Sequence, residues 1–201
     1  MTDTQKLKDD LAFLRDLTQD GSKGMARDGF ALAVVGLVFG LVTLVYWLVF
    51  WGPLAGAKSA AGWLWIVAVI GTIVVTEPFR RRLPAPTGAA ARALSVAWNG
   101  VGVSLLGGGL ALLAAGWRLH DGAFVLFTYP ILLFSLYGAA WGVAYAVKRL
   151  NWFAWISTGC FLAAIGEGLL YGSPHQWLVL SLGLFLLVGA PGLLILKKAR
   201  A

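Results

Sequence analysis

Glu167 stands inside an apolar stretch of membrane length, residues 151–172. A charged side chain at that depth costs roughly 2.5–3.5 kcal/mol or more unless it is neutralised, paired or hydrated, which makes it a functional-site candidate by default. Alternately protonated and ionised, it would relay a proton or a cation. If the stretch is helical, Glu167 lies about 7–8 Å to the outer side of its middle. Tyr46, Thr128, Tyr129 and Ser181 fall at a comparable depth and form a possible intramembrane polar site with it. Arg118, His120 and His175 would reach it only from loops. The competing role for the same residue is a packing group that pins one helix to its neighbour.

Other chemistry-bearing residues are sparse. Asn99 belongs to the opposite half of its own apolar run, some 13–16 Å from Glu167 in depth, and so joins Ser95, Thr72 and Thr158 instead. Glu77 precedes Arg80, Arg81 and Arg82, a cluster suited to anionic headgroups at about 1 kcal/mol per residue. Only two histidines and one cysteine, Cys160, are present, too few for a zinc, iron–sulfur or bis-histidine haem site. No nucleophile elbow, phosphate-binding loop or metalloprotease motif occurs, and Gly100-x-Gly102 has Leu105 where a dinucleotide fingerprint needs glycine. The expectation is of no enzyme and no cofactor. No continuous line of polar residues crosses the apolar runs, which argues against a channel.

The elements that position these residues follow from composition. Of the 201 residues 59% are hydrophobic and 12% charged, against about 25% charged in soluble domains. Six apolar runs, at about 29–51, 60–78, 92–116, 122–147, 152–172 and 176–196, each approach the ~20 residues that cross ~30 Å of hydrocarbon. The fold class expected is all-α: a polytopic six-transmembrane-helix bundle over residues 29–201, preceded by a cytoplasmic segment over 1–28. All but two of the 16 Lys and Arg residues, the exceptions being Lys58 and Arg118, fall on one side of such a bundle. The positive-inside rule places both termini in the cytoplasm, so the net charge of +7 reflects topology and not nucleic-acid binding. Short loops and abundant Ala and Gly point to a bacterial inner membrane.

Residues 3–20 read as an amphipathic helix whose Leu7, Leu11, Leu14 and Leu17 recur at spacings of four and three. Its polar face is net acidic, unlike that of a helix drawn to anionic lipid. The leucine stripe is expected to pack on the protein itself or to form a partner face. Tyr46, Trp47, Trp51, Trp63, Trp117, Tyr171 and Trp177 mark an outer aromatic belt, with Phe30, Phe79, Tyr145, Trp152 and Trp155 at the inner one. Gly36 with Gly40, Gly138 with Gly142, and Gly159 with Ala163 are spaced for close helix–helix contact, within the bundle or in a homo-oligomer. Pro130 and Pro191 are expected to bend the fourth and sixth runs. Shifts of 57 and 51 residues align runs three and four with five and six, as duplicated hairpins would.

These features point to a non-enzymatic membrane protein, an accessory, scaffold or regulatory subunit in contact with membrane lipids and with a membrane or cytoplasmic partner. The alternative is a small transporter or proton-coupled permease that uses Glu167.

Overall fold

The structure, a computed structural model, describes residues 25–51, 58–82 and 89–200. The expected amphipathic helix over residues 3–20, with its leucine face, lies outside the described residues. All described secondary structure is helical. Helices α1 (Ala26–Trp51), α2 (Lys58–Arg82), α3 (Ala89–Leu119), α4 (Gly122–Lys148) and α5 (Asn151–Leu169) precede a composite sixth rod. That rod consists of α6 (Gln176–Gly183), a π-helical turn (Leu184–Gly189) and α7 (Ala190–Arg200), running head to tail. Five segments are long and apolar enough to cross a membrane: Ala26–Phe50, Ala90–Leu119, Gly122–Lys148, Asn151–Leu169 and His175–Ala199. In α2 the corresponding apolar stretch is the shorter Trp63–Phe79.

Helices that pack on their successors run antiparallel to them, because the contacts run in opposite order along each such pair. Phe30 stacks on Phe79 at one end of α1–α2, and Tyr46 meets Trp65 toward the other. The α3–α4 turn is tight: His120 adopts a left-handed conformation, and Asp121 Oδ1 accepts from the Ala123 and Phe124 amides at 2.9 and 3.2 Å. Such a cap satisfies amides that have no partner inside the helix. Arg149, also left-handed, closes α4 with a 2.7 Å bond from its amide to Tyr145 O. The expected fifth span to Gly172 is too long by three residues. Gly172 has φ +78°, the chain turns before it, and α5 stops at Leu169.

The core draws buried side chains from α1, α3, α4, α5 and the sixth rod, and the closest backbone approach within it is that of α1 to the rod. Within their apolar windows these two bury 44% and 50% of residues, against 11% in α3. Lipid tails are as apolar as leucine, so only close packing and polar bonds hold such helices together. Glycine supplies the closeness. A Cβ on Gly36 would run into the Gly189 backbone, one on Gly192 into the Ala33 backbone, and one on Gly40 would lie 2.9 Å from the Phe185 ring. Where the helices touch, Ser181 Oγ donates to Gly40 O at 2.8 Å, and Thr43 Oγ1 donates to the same carbonyl at 3.0 Å.

The π-helical turn sits at this crossing, just ahead of Pro191. Proline has no amide to give to the carbonyl four residues earlier, here Leu187, and Trp141 Nε1 of α4 donates to it at 3.1 Å. Trp141 also meets Trp98 edge-on at 4.8 Å and Phe153 at 5.3 Å. Lys198 Nζ lies 5.3 Å from the Trp152 ring centroid, tying the end of α7 to the start of α5. Elsewhere α4 packs closely along α5: Ser157 Oγ donates to Gly138 O at 2.7 Å, and the Phe161 ring covers Gly138. The two hairpins with aligned sequences pack differently, since α3 lies closely on α4 whereas α5 meets the sixth rod mainly at α6.

A methyl group tests the central contact. We expect Gly36→Ala to destabilise the purified protein by about 1–3 kcal/mol through overpacking. Gly71→Ala, where a Cβ meets nothing within 4 Å, should be neutral or slightly stabilising. Thermal unfolding of the two variants in one detergent compares them, and equal melting temperatures would refute the glycine contact.

Candidate functional site

The earlier end of α5 places Glu167 in that helix's final turn, not one and a half turns inside it. Its side chain is fully buried. The Gln176 side chain, at the start of α6, faces the carboxyl, and Gln176 Nε2 donates to Phe127 O of α4 at 2.7 Å. Pro130 removes the amide that would serve Leu126 O, and Gln176 bonds the next carbonyl along this turn. Three helices meet here through two buried polar side chains. Neither Glu167 oxygen, nor Gln176 Oε1, has a hydrogen bond within the protein. Three acceptor oxygens in one place call for a donor, and a carboxyl carried as the neutral acid supplies one.

The other residues expected around Glu167 are engaged elsewhere. Ser181 serves Gly40 O. Thr128 Oγ1 lies 3.4 Å from the Tyr171 hydroxyl on the exposed side of the junction. Tyr46 belongs to an aromatic group, 5.3 Å from Phe50, 5.6 Å from Trp65 and 5.2 Å from Trp177. Tyr129 faces α3, where a Cβ on Gly109 would lie 3.2 Å from its ring. Gly142 faces Ser157 Oγ, Gly159 faces the Leu187 side chain, and Ala163 packs on the core. Arg81 Nε donates to Glu77 Oε1 at 3.0 Å on the exposed surface, a pair that adds little stability. Arg82 is exposed, and the Arg80 side chain lies outside the described residues.

A second feature was not legible in the sequence. α2 makes its extensive backbone contact with α1, and α3 makes its own with α4, so the two peripheral helices stand apart. Between them is a cavity of about 510 Å³, lined by Phe39, Trp65, Leu105, Tyr129, Trp177 and other largely apolar side chains. Toward the end of the bundle that carries Arg27, a second cavity of about 290 Å³ is lined by Arg27, Asp28, Ser95, Trp98, Asn99 and Gly102. Val35 and Tyr137 line both. The cavities are therefore neighbours, polar at one end and apolar along the rest. Asn99 belongs to this feature and not to the Glu167 junction.

Among the described residues no group of three or more His, Cys, Asp or Glu side chains is placed to hold a metal. Helix lengths, apolar surfaces and the absence of strands among the described residues define the class: an all-helical protein with five candidate membrane-spanning helices. No protein-family model, curated protein or solved structure matches the chain.

The junction makes its own prediction. Glu167→Gln retains a neutral group of the same shape and replaces the acid's O–H donor to Gln176 Oε1 with an amide N–H, so stability should be nearly unchanged. Gln176→Leu strips Phe127 O and the carboxyl of their neighbour and should cost about 1–3 kcal/mol. Thermal unfolding of both variants decides it, and a larger loss from Glu167→Gln than from Gln176→Leu would sink the assignment.

Proposed function

We propose that the chain is a six-span, non-enzymatic membrane protein whose role is binding, as an accessory, scaffold or regulatory subunit, with both termini in the cytoplasm of a bacterial cell. Treating α2 as the sixth span is supported by its 25-residue length, its antiparallel contact with α1 and the exposed side chains of Val67, Ile70, Ile73 and Val74. The orientation rests on the cations gathered where α1 begins, α2 ends, α4 ends and α7 ends.

The observation that carries the binding role is the apolar cavity between α2 and α3. Its volume lies in the range of ligand pockets, about 300–1,000 Å³, and its lining is largely apolar, as the chain of a membrane component requires. Transport through Glu167 is the less favoured reading, because that residue lines neither of the two cavities.

Both parts are testable. Single cysteines introduced beside Arg81 and Lys148 should react with a membrane-impermeant maleimide only from the cytoplasmic side, and labelling from the outside would end the six-span topology. Leu105→Trp, which fills the apolar cavity, should abolish retention of an apolar-chain molecule by protein purified in mild detergent. Equal retention by the variant and the original protein, read by mass spectrometry, would remove the cavity as the binding site.

A further inference from the structure

Resting on the reading of the cavity as a binding site, we propose that its occupant is a glycerophospholipid with a zwitterionic, amine-bearing headgroup. The head sits among Arg27, Asp28, Ser95 and Asn99, and one acyl chain occupies the chamber between α2 and α3.

The two cavities adjoin, with Val35 and Tyr137 in the lining of both and polar side chains gathered at one end. From Asn99, in the polar cavity, to Leu113, in the apolar one, α3 advances 14 residues, or about 21 Å. The two linings together thus span more than the ~15 Å of one hydrocarbon leaflet, the length an extended acyl chain needs. The polar end takes Arg27 and Asp28 from the first turn of α1 and Ser95 and Asn99 from the second and third turns of α3, so it reaches inward from the helix ends. The gap between α2 and α3 leaves the second chain in the bilayer, which a wholly enclosed pocket would forbid.

Charge selects the head. The Arg27 guanidinium offers planar donors to a phosphate, while the Asp28 carboxylate beside it offers acceptors to an ammonium. Ser95 and Asn99 add neutral groups for the ester and glycerol oxygens. A purely anionic head would set its phosphate against Asp28 with nothing to answer that charge, and a quaternary head could not donate hydrogen bonds to it. Like-charge and unpaired groups of this kind are how sites reject the wrong ligand. The first turn of a helix also suits an acidic residue through the macrodipole, but that account leaves the polar cavity and its place beside the chamber unexplained.

Gly102 supplies a clean variant. It lines the polar cavity, and a Cβ there meets nothing within 4 Å, so Gly102→Phe adds a ring without touching the backbone packing. The experiment is native mass spectrometry of the full chain in detergent, titrated with dioleoyl phosphatidylethanolamine, phosphatidylcholine, phosphatidylglycerol and the headless dioleoylglycerol. We expect one tightly held phosphatidylethanolamine, preferred by roughly tenfold over the other three. Asp28→Asn should remove the preference over phosphatidylcholine, and Arg27→Gln the preference over dioleoylglycerol. Gly102→Phe should weaken all phospholipids while leaving dioleoylglycerol bound. Equal retention of all four, or a preference for phosphatidylglycerol, overturns the headgroup assignment while the cavity keeps its chain-binding role. Retention of none overturns the cavity reading as well.

Discussion

The backbone-to-backbone contact between α1 and the sixth rod is the constraint on which the remaining packing depends. Water does not drive these helices together once they are in lipid, so their association relies on atoms brought to contact distance. Gly36, Gly189 and Gly192 remove the side chains that would hold the two backbones apart. With the backbones close, the short Ser181 side chain reaches Gly40 O, and Tyr46 of α1 comes against Trp177 of α6. The π-helical turn lies at the crossing itself. Such turns insert a residue into the helical repeat, and the carbonyl that Pro191 cannot serve is taken up by Trp141 from α4. One close contact thus recruits a third helix.

What the contact does not hold is equally consequential. α4 reaches the sixth rod through long side chains, with Trp141 at the π turn, Gln176 answering from α6, and the Phe134 ring lying over Gly183. α2 and α3 sit outside this frame, each with one extensive backbone contact. Their separation makes the cavity. The walls come from five helices, the two peripheral ones among them, and elements with few packing partners move at the lowest free-energy cost. An entering chain would displace peripheral helices and leave the α1–sixth rod contact intact.

The sequence disclosed the helical class because apolar length is a one-dimensional property. Alternation of charge along the chain separated the ends of the bundle for the same reason. Where an apolar run stops being helical is a different matter: Leu170 and Tyr171 carry no strong helix-breaking signal, yet the helix stops at Leu169 and the chain turns on to Gly172, whose φ is positive. That shift of three residues moved Glu167 toward the rim. Gln176 was missed as its neighbour because it opens the next run. The short connection before it was the available signal, since a six-residue turn between antiparallel helices returns the chain to the same depth. The cavity had no signal at all, because a gap between α2 and α3 depends on which helices fail to meet.

Two sets of polar groups lie at depth in this bundle, and their settings assign them different work. Glu167 is enclosed by protein on all sides, fully buried, next to a glutamine that is itself bound to a third helix. Removing a polar group from water without partners is unfavourable, so such a group persists where neighbouring polar atoms define the arrangement of the helices around it. Arg27 and Asp28 are half-buried and line a space large enough to admit other atoms. Each charge has the other as its neighbour, and both line the space that the proposed headgroup would enter. A group enclosed by the fold specifies the fold, whereas a pair of opposite charges at the mouth of an apolar chamber specifies an occupant that is charged in both senses at one end and apolar at the other.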